Sequence, residues 1–155
     1  MAAASCVGFT NAMNFQAVVL NVSDLDKSID FYHDVFGFTE LSRGDQLAAI
    51  GIPGSERTQV LVLRTLGTTG YVGGAHHIGM RAFVLEMDSL DRLNQVSAAL
   101  DRRKSSVTRR ETKAWVAVVG HDPDRIAVVA SCSVGESPIT YDDWDLDELL
   151  YGLGE

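Results

Sequence analysis

The chain has 155 residues, 46% of them hydrophobic, which is enough for one domain or for two small modules that share a core. Its 13 basic and 21 acidic residues give a formal charge of -8, which argues against a nucleic-acid partner because phosphate-backbone binding relies on clustered Lys and Arg. No segment predicts a membrane span, and residues 1–15 do not have the pattern of a signal peptide. Cys6 and Cys132 are typical of free thiols in a reducing compartment, so we expect a cytoplasmic protein without a disulfide.

The stretch from Phe15 to Phe38 predicts a strand, a helix and a helix stop in succession. Phe15–Val22 is a short apolar run rich in valine, as in strands. Ser23 offers a hydroxyl to cap the following helix, and Asp26 completes a capping box. Gly37 is placed to end the helix in a left-handed conformation. The helix has one apolar stripe, made of Leu25, Ile29, Tyr32 and Phe36.

Three further strands complete the first module. Phe38–Leu41 and Gln46–Ile52 are extended in pattern, and Gln59–Leu63 forms a hairpin with the latter through the turn residues at Pro53. The order is therefore β-α-β-β-β. The segment Gly67–Ala75 holds four glycines and no periodic pattern, so it is interpreted as a linker.

The second half of the chain repeats the first. Arg81–Met87 predicts a strand, and Asp88 is placed to cap a helix that begins at Ser89. The helix entry Met87–Arg92 matches Val22–Lys27 at a constant offset of 65 (87 minus 22). The apolar stripe of this helix consists of Leu90, Leu93, Val96, Ser97 and Leu100. Trp115–Gly120 and Arg125–Ser131 then predict a hairpin around a turn that includes His121, Asp122 and Asp124.

We therefore predict an α+β fold in one domain spanning residues 1–155. It consists of module one (about 15–66), a linker (67–75), module two (about 76–133) and a helical tail (140–155). The tail has leucines at helical spacing among acidic residues, which predicts an apolar stripe that packs on its own sheet or on a partner subunit. The favoured interpretation is a structural cap or a dimer contact.

The two modules resemble the vicinal oxygen chelate superfamily, which includes glyoxalase I, extradiol dioxygenases, and fosfomycin and bleomycin resistance proteins. The resemblance is carried by VSDLDKSIDFYHDVFGF, which opens the first module, and by HDPDRIAVV, which closes the second. It covers roughly Phe15 to Ser131. It implies that the modules curl into half-barrels around a shared cavity. Metal-dependent members place one ligand on the first strand and one on the last strand of each module.

The resemblance maps those four ligand positions onto Ala17, Val62, Ala82 and Val129. Methyl and isopropyl groups offer no lone pair to a metal ion, so the usual metal centre is expected to be absent and no cofactor is predicted. The implied cavity is apolar, and Trp115 is a candidate to line it, together with the aromatic residues Tyr71 and Phe83. The leading hypothesis is a homodimer that binds a small hydrophobic or aromatic metabolite without a metal, resistance by sequestration being one version.

An enzyme is the alternative. The adjacent His76 and His77 precede the first strand of module two, and an inward-facing His77 would be a metal ligand or a general base, with Glu86 beside it. The first case predicts a lyase or an extradiol-type dioxygenase with Fe²⁺, Mn²⁺ or Zn²⁺; the second predicts a metal-free isomerase or cyclase. The two other histidines are assigned no role, because His33 lies on the polar side of a helix and His121 in a turn.

Overall fold

The structure is a computed structural model that describes residues 17–52, 60–67, 80, 82–105 and 107–135. Each half has the predicted β-α-β-β-β order. The first half contains β1 (Ala17–Val22), α1 (Leu25–Phe36), β2 (Thr39–Arg43), β3 (Leu47–Gly51) and β4 (Val60–Thr65). The second contains β5 (Ala82–Glu86), α2 (Leu90–Arg102), β6 (Thr108–Glu111), β7 (Trp115–His121) and β8 (Ala127–Ser133).

The strands form two mixed sheets of four with the same topology. The strand orders are β1-β4-β3-β2 and β5-β8-β7-β6, and in each sheet the first and last strands of the module pair in parallel while the others pair antiparallel. The α+β fold of two tandem modules is thereby confirmed. The repeat predicted a strand at the place of β6, but no residues were assigned to it, because its sequence, TRRE, has neither an apolar run nor apolar alternation.

Both helices are capped by a residue one position later than predicted. In α1 the carboxylate of Asp24 accepts the backbone N–H of Lys27 at 3.1 Å, and in α2 the hydroxyl of Ser89 accepts the equivalent N–H at 3.2 Å. The predicted caps at Ser23 and Asp88 are therefore wrong. The physical reason is that a cap binds the N–H three residues on, and the helices begin immediately after Asp24 and Ser89.

The helix stop at Gly37 is confirmed. Its φ is 74°, and its N–H donates to the carbonyl of His33 at 2.8 Å. The buried face of α1 is broader than the predicted stripe, since it includes Ser28, Phe31 and Val35. The buried face of α2 consists of Leu93, Val96, Ala99 and Leu100.

One hydrophobic core joins the two modules. It contains the buried faces of both helices and, from each sheet, the strand residues that point toward the helices, such as Leu63 and Val128. Tyr32 of α1 and Phe83 of β5 meet in this core with ring centroids 6.1 Å apart. Because neither helix buries its apolar face against its own sheet alone, the modules stabilise each other.

The turn between β7 and β8 holds the second module onto the start of α1. Asp122 is buried, accepts the backbone N–H groups of Asp124 and Ile126, and also accepts the hydroxyl of Tyr32 at 2.9 Å. Asp124 accepts the backbone N–H of Ser23 at 3.0 Å. The two carboxylates make a turn, as predicted, and in addition they connect the modules.

Arg92 of α2 and Arg103, which directly follows α2, reach α1. Arg92 donates to the carbonyl of Phe36 at 2.8 Å and thereby satisfies a free carbonyl at the end of α1. Arg103 forms ion pairs with Asp30 and Asp34 at 2.6 and 2.7 Å, and its guanidinium lies 5.7 Å from the ring of Phe31. The hydrogen bond from Arg103 lowers the pKa of the Asp34 carboxyl.

Several predicted features lie outside the described residues: the turn at Pro53, nearly all of the linker, His76, His77, Tyr71, Cys6 and the tail at 140–155. Cys132 is described and is a buried, free thiol. Among the residues that the structure describes, no helix is long and apolar enough to cross a membrane.

Candidate functional site

Each sheet has an outer face, which we define as the face that points away from the helices. On β5, Phe83 and Leu85 pack into the core shared with the helices, so the alternating residues Ala82, Val84 and Glu86 lie on the outer face. Phe83 was predicted to line the cavity, but it lies on the opposite face of the sheet.

The four mapped ligand positions lie on the outer faces at equivalent places. Val62 pairs with Val19, two residues after Ala17, and Val129 pairs with Val84, two residues after Ala82. The two pairs are therefore related by the internal repeat, as the resemblance implies. Ala17 is exposed and Val62 is half-buried on the first sheet.

The second outer face carries a buried apolar cluster. Trp115 and Val129, which are 3% and 1% exposed, belong to it, and Ala82 packs against it. The other members are Ala114, Ala117, Val119 and Ala127. Three of the five predicted cavity residues are thus brought together, whereas Ala17 and Val62 do not belong to this cluster.

The first outer face is open by comparison. Val19 is 62% exposed and Leu47 is 49% exposed, although both lie on regular strands of the sheet. Ala49 and Val62 beside them are half-buried. The same topology therefore leaves one outer face accessible and the other covered.

The second outer face also contains polar residues that were not predicted from the sequence to lie there. Ser131 is buried at 2% exposure between Glu86 of β5 and Ala117 of β7, and Arg110 of β6 is the partner of Ala117 on the other side. This row runs across all four strands with a carboxylate at one end and a guanidinium at the other. Alternation along RIAVVASCS is a signal that places Ser131 on the same face as Val129. Arg110 could not be placed on this face from the sequence, because no residues were assigned to β6.

His121 also belongs to this face and not to the turn in which it was placed. It is the last residue of β7, it pairs with Ala127, and it alternates with Val119. Burial, together with the nearby positive charge of Arg125, lowers the pKa of its imidazole. The ring is therefore neutral near pH 7 and is able to accept a proton.

Glu86 is exposed at the end of β5, and its predicted pairing with His77 stays a prediction, because His77 lies outside the described residues. A surface pocket of about 330 Å³ opens beside Glu86 at the carboxyl ends of β5 and β8. Its walls are Glu86, Met87, Asp88, Cys132 and Ser133. It includes none of the four mapped ligand positions.

The mapped positions do not fit a divalent cation. Their side chains are two methyl and two isopropyl groups, which have no donor atoms. Among the described residues, no three His, Cys, Asp or Glu side chains are grouped so that they could hold a metal ion. Ser131 and Glu86 do not change this, since a single carboxylate with a hydroxyl is a weak donor set.

A family model described as the Glyoxalase/Bleomycin resistance protein/Dioxygenase superfamily matches residues 14–129. The chain belongs to this superfamily. The match spans both modules and ends at Val129, the last of the mapped ligand positions. No curated protein gave a significant match.

Solved structures agree on the fold of this superfamily member. A glyoxylase/bleomycin resistance protein/dioxygenase domain from Frankia sp. EAN1pec is 24% identical with a TM-score of 0.69, covering 79% of this chain and 98% of its own. A glyoxalase/dioxygenase from Nostoc punctiforme is 15% identical with a TM-score of 0.69, covering 84% and 98%. A lactoylglutathione lyase from Agrobacterium tumefaciens is 18% identical with a TM-score of 0.59, covering 79% and 96%. Likenesses at this level of identity show the fold alone.

Proposed function

We propose that this superfamily member binds a small hydrophobic or aromatic metabolite, without a resident metal, in a cavity formed by the outer faces of its sheets. The observation that supports the proposal is that the four positions mapped from the family resemblance are all occupied by Ala or Val. Two of them, Ala82 and Val129, lie with Trp115 in one apolar cluster. Apolar walls with a few convergent polar groups are typical of small-molecule sites, and Ser131 and His121 supply such groups on the same face.

The proposal is tested by titrating the full chain with N-phenyl-1-naphthylamine, a neutral fluorescent aromatic probe. Saturable binding of one probe per chain is expected. Val129→Thr is nearly isosteric but polar and should weaken binding several-fold. Val128→Thr is the matched control, because Val128 is equally buried on the same strand but points into the core. Absence of saturable binding, or equal weakening by both substitutions, would contradict the proposal.

Elemental analysis separates this function from the enzyme alternative. Protein purified without a chelator should contain no stoichiometric metal. A stoichiometric ion that disappears in the His77→Ala variant would support the metal-dependent lyase or dioxygenase instead. The alternatives based on His77 stay predictions, because that residue lies outside the described part of the chain.

We also propose that the protein is a homodimer in the cytoplasm. The exposed side chains of Val19 and Leu47 on the first outer face are apolar area that a second copy would cover. Sedimentation equilibrium of the full chain should give twice the mass of one chain, and Val19→Asp should shift the equilibrium toward monomer. A monomer at all concentrations would refute this assignment. The cytoplasmic location follows only from the cysteine usage.

A further inference from the structure

The first outer face carries a single charged side chain among its described strand residues, and it belongs to Arg64. Leu61 and Leu63 of β4 pack into the core, so Arg64 and Val62 alternate with them onto the outer face. The other described strand residues of this face are apolar or uncharged: Ala17, Val19, Asn21, Thr39, Ser42, Leu47, Ala49, Gly51 and Val62.

The exposed guanidinium of Arg64 forms no ion pair or hydrogen bond with any residue in the described part of the chain. Most other described arginines contact a carboxylate or a carbonyl, namely Arg43, Arg92, Arg102, Arg103 and Arg109. The chain as a whole is acidic, with a formal charge of -8, and therefore repels anions in general. An arginine without a carboxylate beside it is a specific place where an anion is attracted.

The strands on either side of Arg64 place polar and apolar groups next to it. In the register of the sheet, Arg64 lies between Asn21 of β1 and Leu47 of β3. Asn21 is exposed, and its amide is a further hydrogen-bond donor. Along β4, Val62 lies two residues away, which is about 7 Å. One small molecule can therefore contact the guanidinium and the apolar part of the face together.

The apolar part of the face is a shallow depression. Val62 and Ala49 are paired across two strands and are half-buried, and Gly51 beside them is buried. Val19 and Leu47 protrude around this floor, with exposures of 62% and 49%. A second copy that rests on these two side chains, as proposed above, closes the depression without filling it.

We propose that the ligand is a hydrophobic or aromatic carboxylic acid whose carboxylate binds Arg64, an inference that rests on the proposed function. The guanidinium donates two parallel hydrogen bonds to the carboxylate, and the amide of Asn21 donates a third. The apolar body of the acid lies on Val62 and Ala49. Because arginine is charged at every accessible pH, the ionised acid is the form that binds, and a neutral metabolite gains much less from this site.

Calorimetric titration of the full chain with 1-naphthylacetate and with 1-naphthylacetamide tests the role of the charge. The two compounds share their aromatic body, and only the first carries a carboxylate. The acetate should bind several-fold more tightly than the amide. Arg64→Gln should abolish this preference and leave the affinity for the amide unchanged. The matched control is Arg102→Gln, which removes the same charge from an exposed position at the end of α2 and should leave both affinities unchanged.

Equal affinities of the unmodified chain for acetate and amide would overturn the proposal, as would a preference that survives in Arg64→Gln or is lost equally in Arg102→Gln. Failure of both compounds to bind would also overturn it, and with a dimer present it would mean that the second copy fills the face. The naphthylamine probe separates this proposal from the proposed function. Probe binding without a preference for the acetate refutes the acid site and leaves the proposed function standing. A preference that depends on Arg64, in a chain that does not bind the neutral probe, upholds the acid site and contradicts the proposed function.

Discussion

Tyr32 is the residue through which the first helix contacts the turn of the second module. It is fully buried, and its ring packs among Phe31, Phe36, Phe38 and Phe83. Burial, and then the negative charge of Asp122, raise the pKa of its hydroxyl far above its usual range. The hydroxyl therefore stays protonated and remains the donor to Asp122 at 2.9 Å.

Replacing Tyr32 by Phe should lower the free energy of unfolding by about 1–2 kcal/mol, because it removes one buried hydrogen bond to a carboxylate and keeps the ring. Urea unfolding measures the change. Thr39→Val is the control, since the bond from Thr39 to Gly51 is long, at 3.4 Å, and should matter little. An unchanged stability in Tyr32→Phe would show that the contact does not connect the modules energetically.

Asp122 predicts a pH dependence. Burial raises the pKa of its carboxyl above the ordinary value of 3.8, so the folded chain retains a proton that the unfolded chain has already released. The stabilisation linked to this proton is complete below pH 3.8 and is lost as the pH rises through the raised pKa. Asp122→Asn cannot titrate, so the stability of the unmodified protein relative to this variant should fall as the pH rises from 3.8 through the raised pKa. A relative stability that rises over this range would mean that the pKa of Asp122 is lowered.

At the level of elements, the contact between α2 and β7 depends on a residue without a side chain. A Cβ at Gly120 would lie 2.5 and 2.8 Å from the two methyl groups of Leu100, which is itself fully buried. The glycine is needed for close approach of helix and strand, since its backbone is not in the left-handed region. The same contact turns Val119 and His121 toward the outer face.

Gly120→Ala should therefore destabilise the protein by about 1–3 kcal/mol through overpacking. Gly44→Ala is the matched control, because the nearest atom to its added Cβ would be 3.7 Å away. Thermal or urea unfolding compares the two. Adding Leu100→Ala to Gly120→Ala should cost less than the sum of the single changes, and strict additivity would contradict the steric explanation.

For the whole molecule, the two sheets have the same topology but different surroundings. Equivalent register places Ala17 with Ala82 and Val62 with Val129, whereas the outer face of the first sheet is open and that of the second is covered. The internal repeat thus determines where the four positions lie, and the rest of the chain determines which of them are accessible.

Introducing donors at these positions tests whether they share one cavity. The quadruple variant with Ala17→His, Val62→Glu, Ala82→His and Val129→Glu should bind one Zn²⁺ per chain, because four donors complete a tetrahedral set. Its affinity should be at least tenfold higher than that of either double variant, which carries the His and Glu of one module only. Calorimetric titration measures the affinities, and zinc-dependent folding is the readout if the apo variant is unfolded. A zinc affinity of the quadruple variant no higher than that of the tighter-binding double variant would show that the four positions do not face a common cavity.

The sequence by itself determined the family, the module order and the helix stop at Gly37, because periodicity, glycine conformation and turn chemistry are local properties. The sequence did not locate β6, whose polar residues form a strand only because β7 pairs with them. It also placed Phe83 in the cavity, because alternation along a strand does not show which face of the sheet meets the helices. The assignment of His121 to a turn failed for a similar reason, since pairing with Ala127 extends β7 by one residue. Only the tertiary structure decided that Asp122 and Tyr32 connect the modules and that one outer face is covered, since contacts between residues about ninety positions apart leave no local pattern.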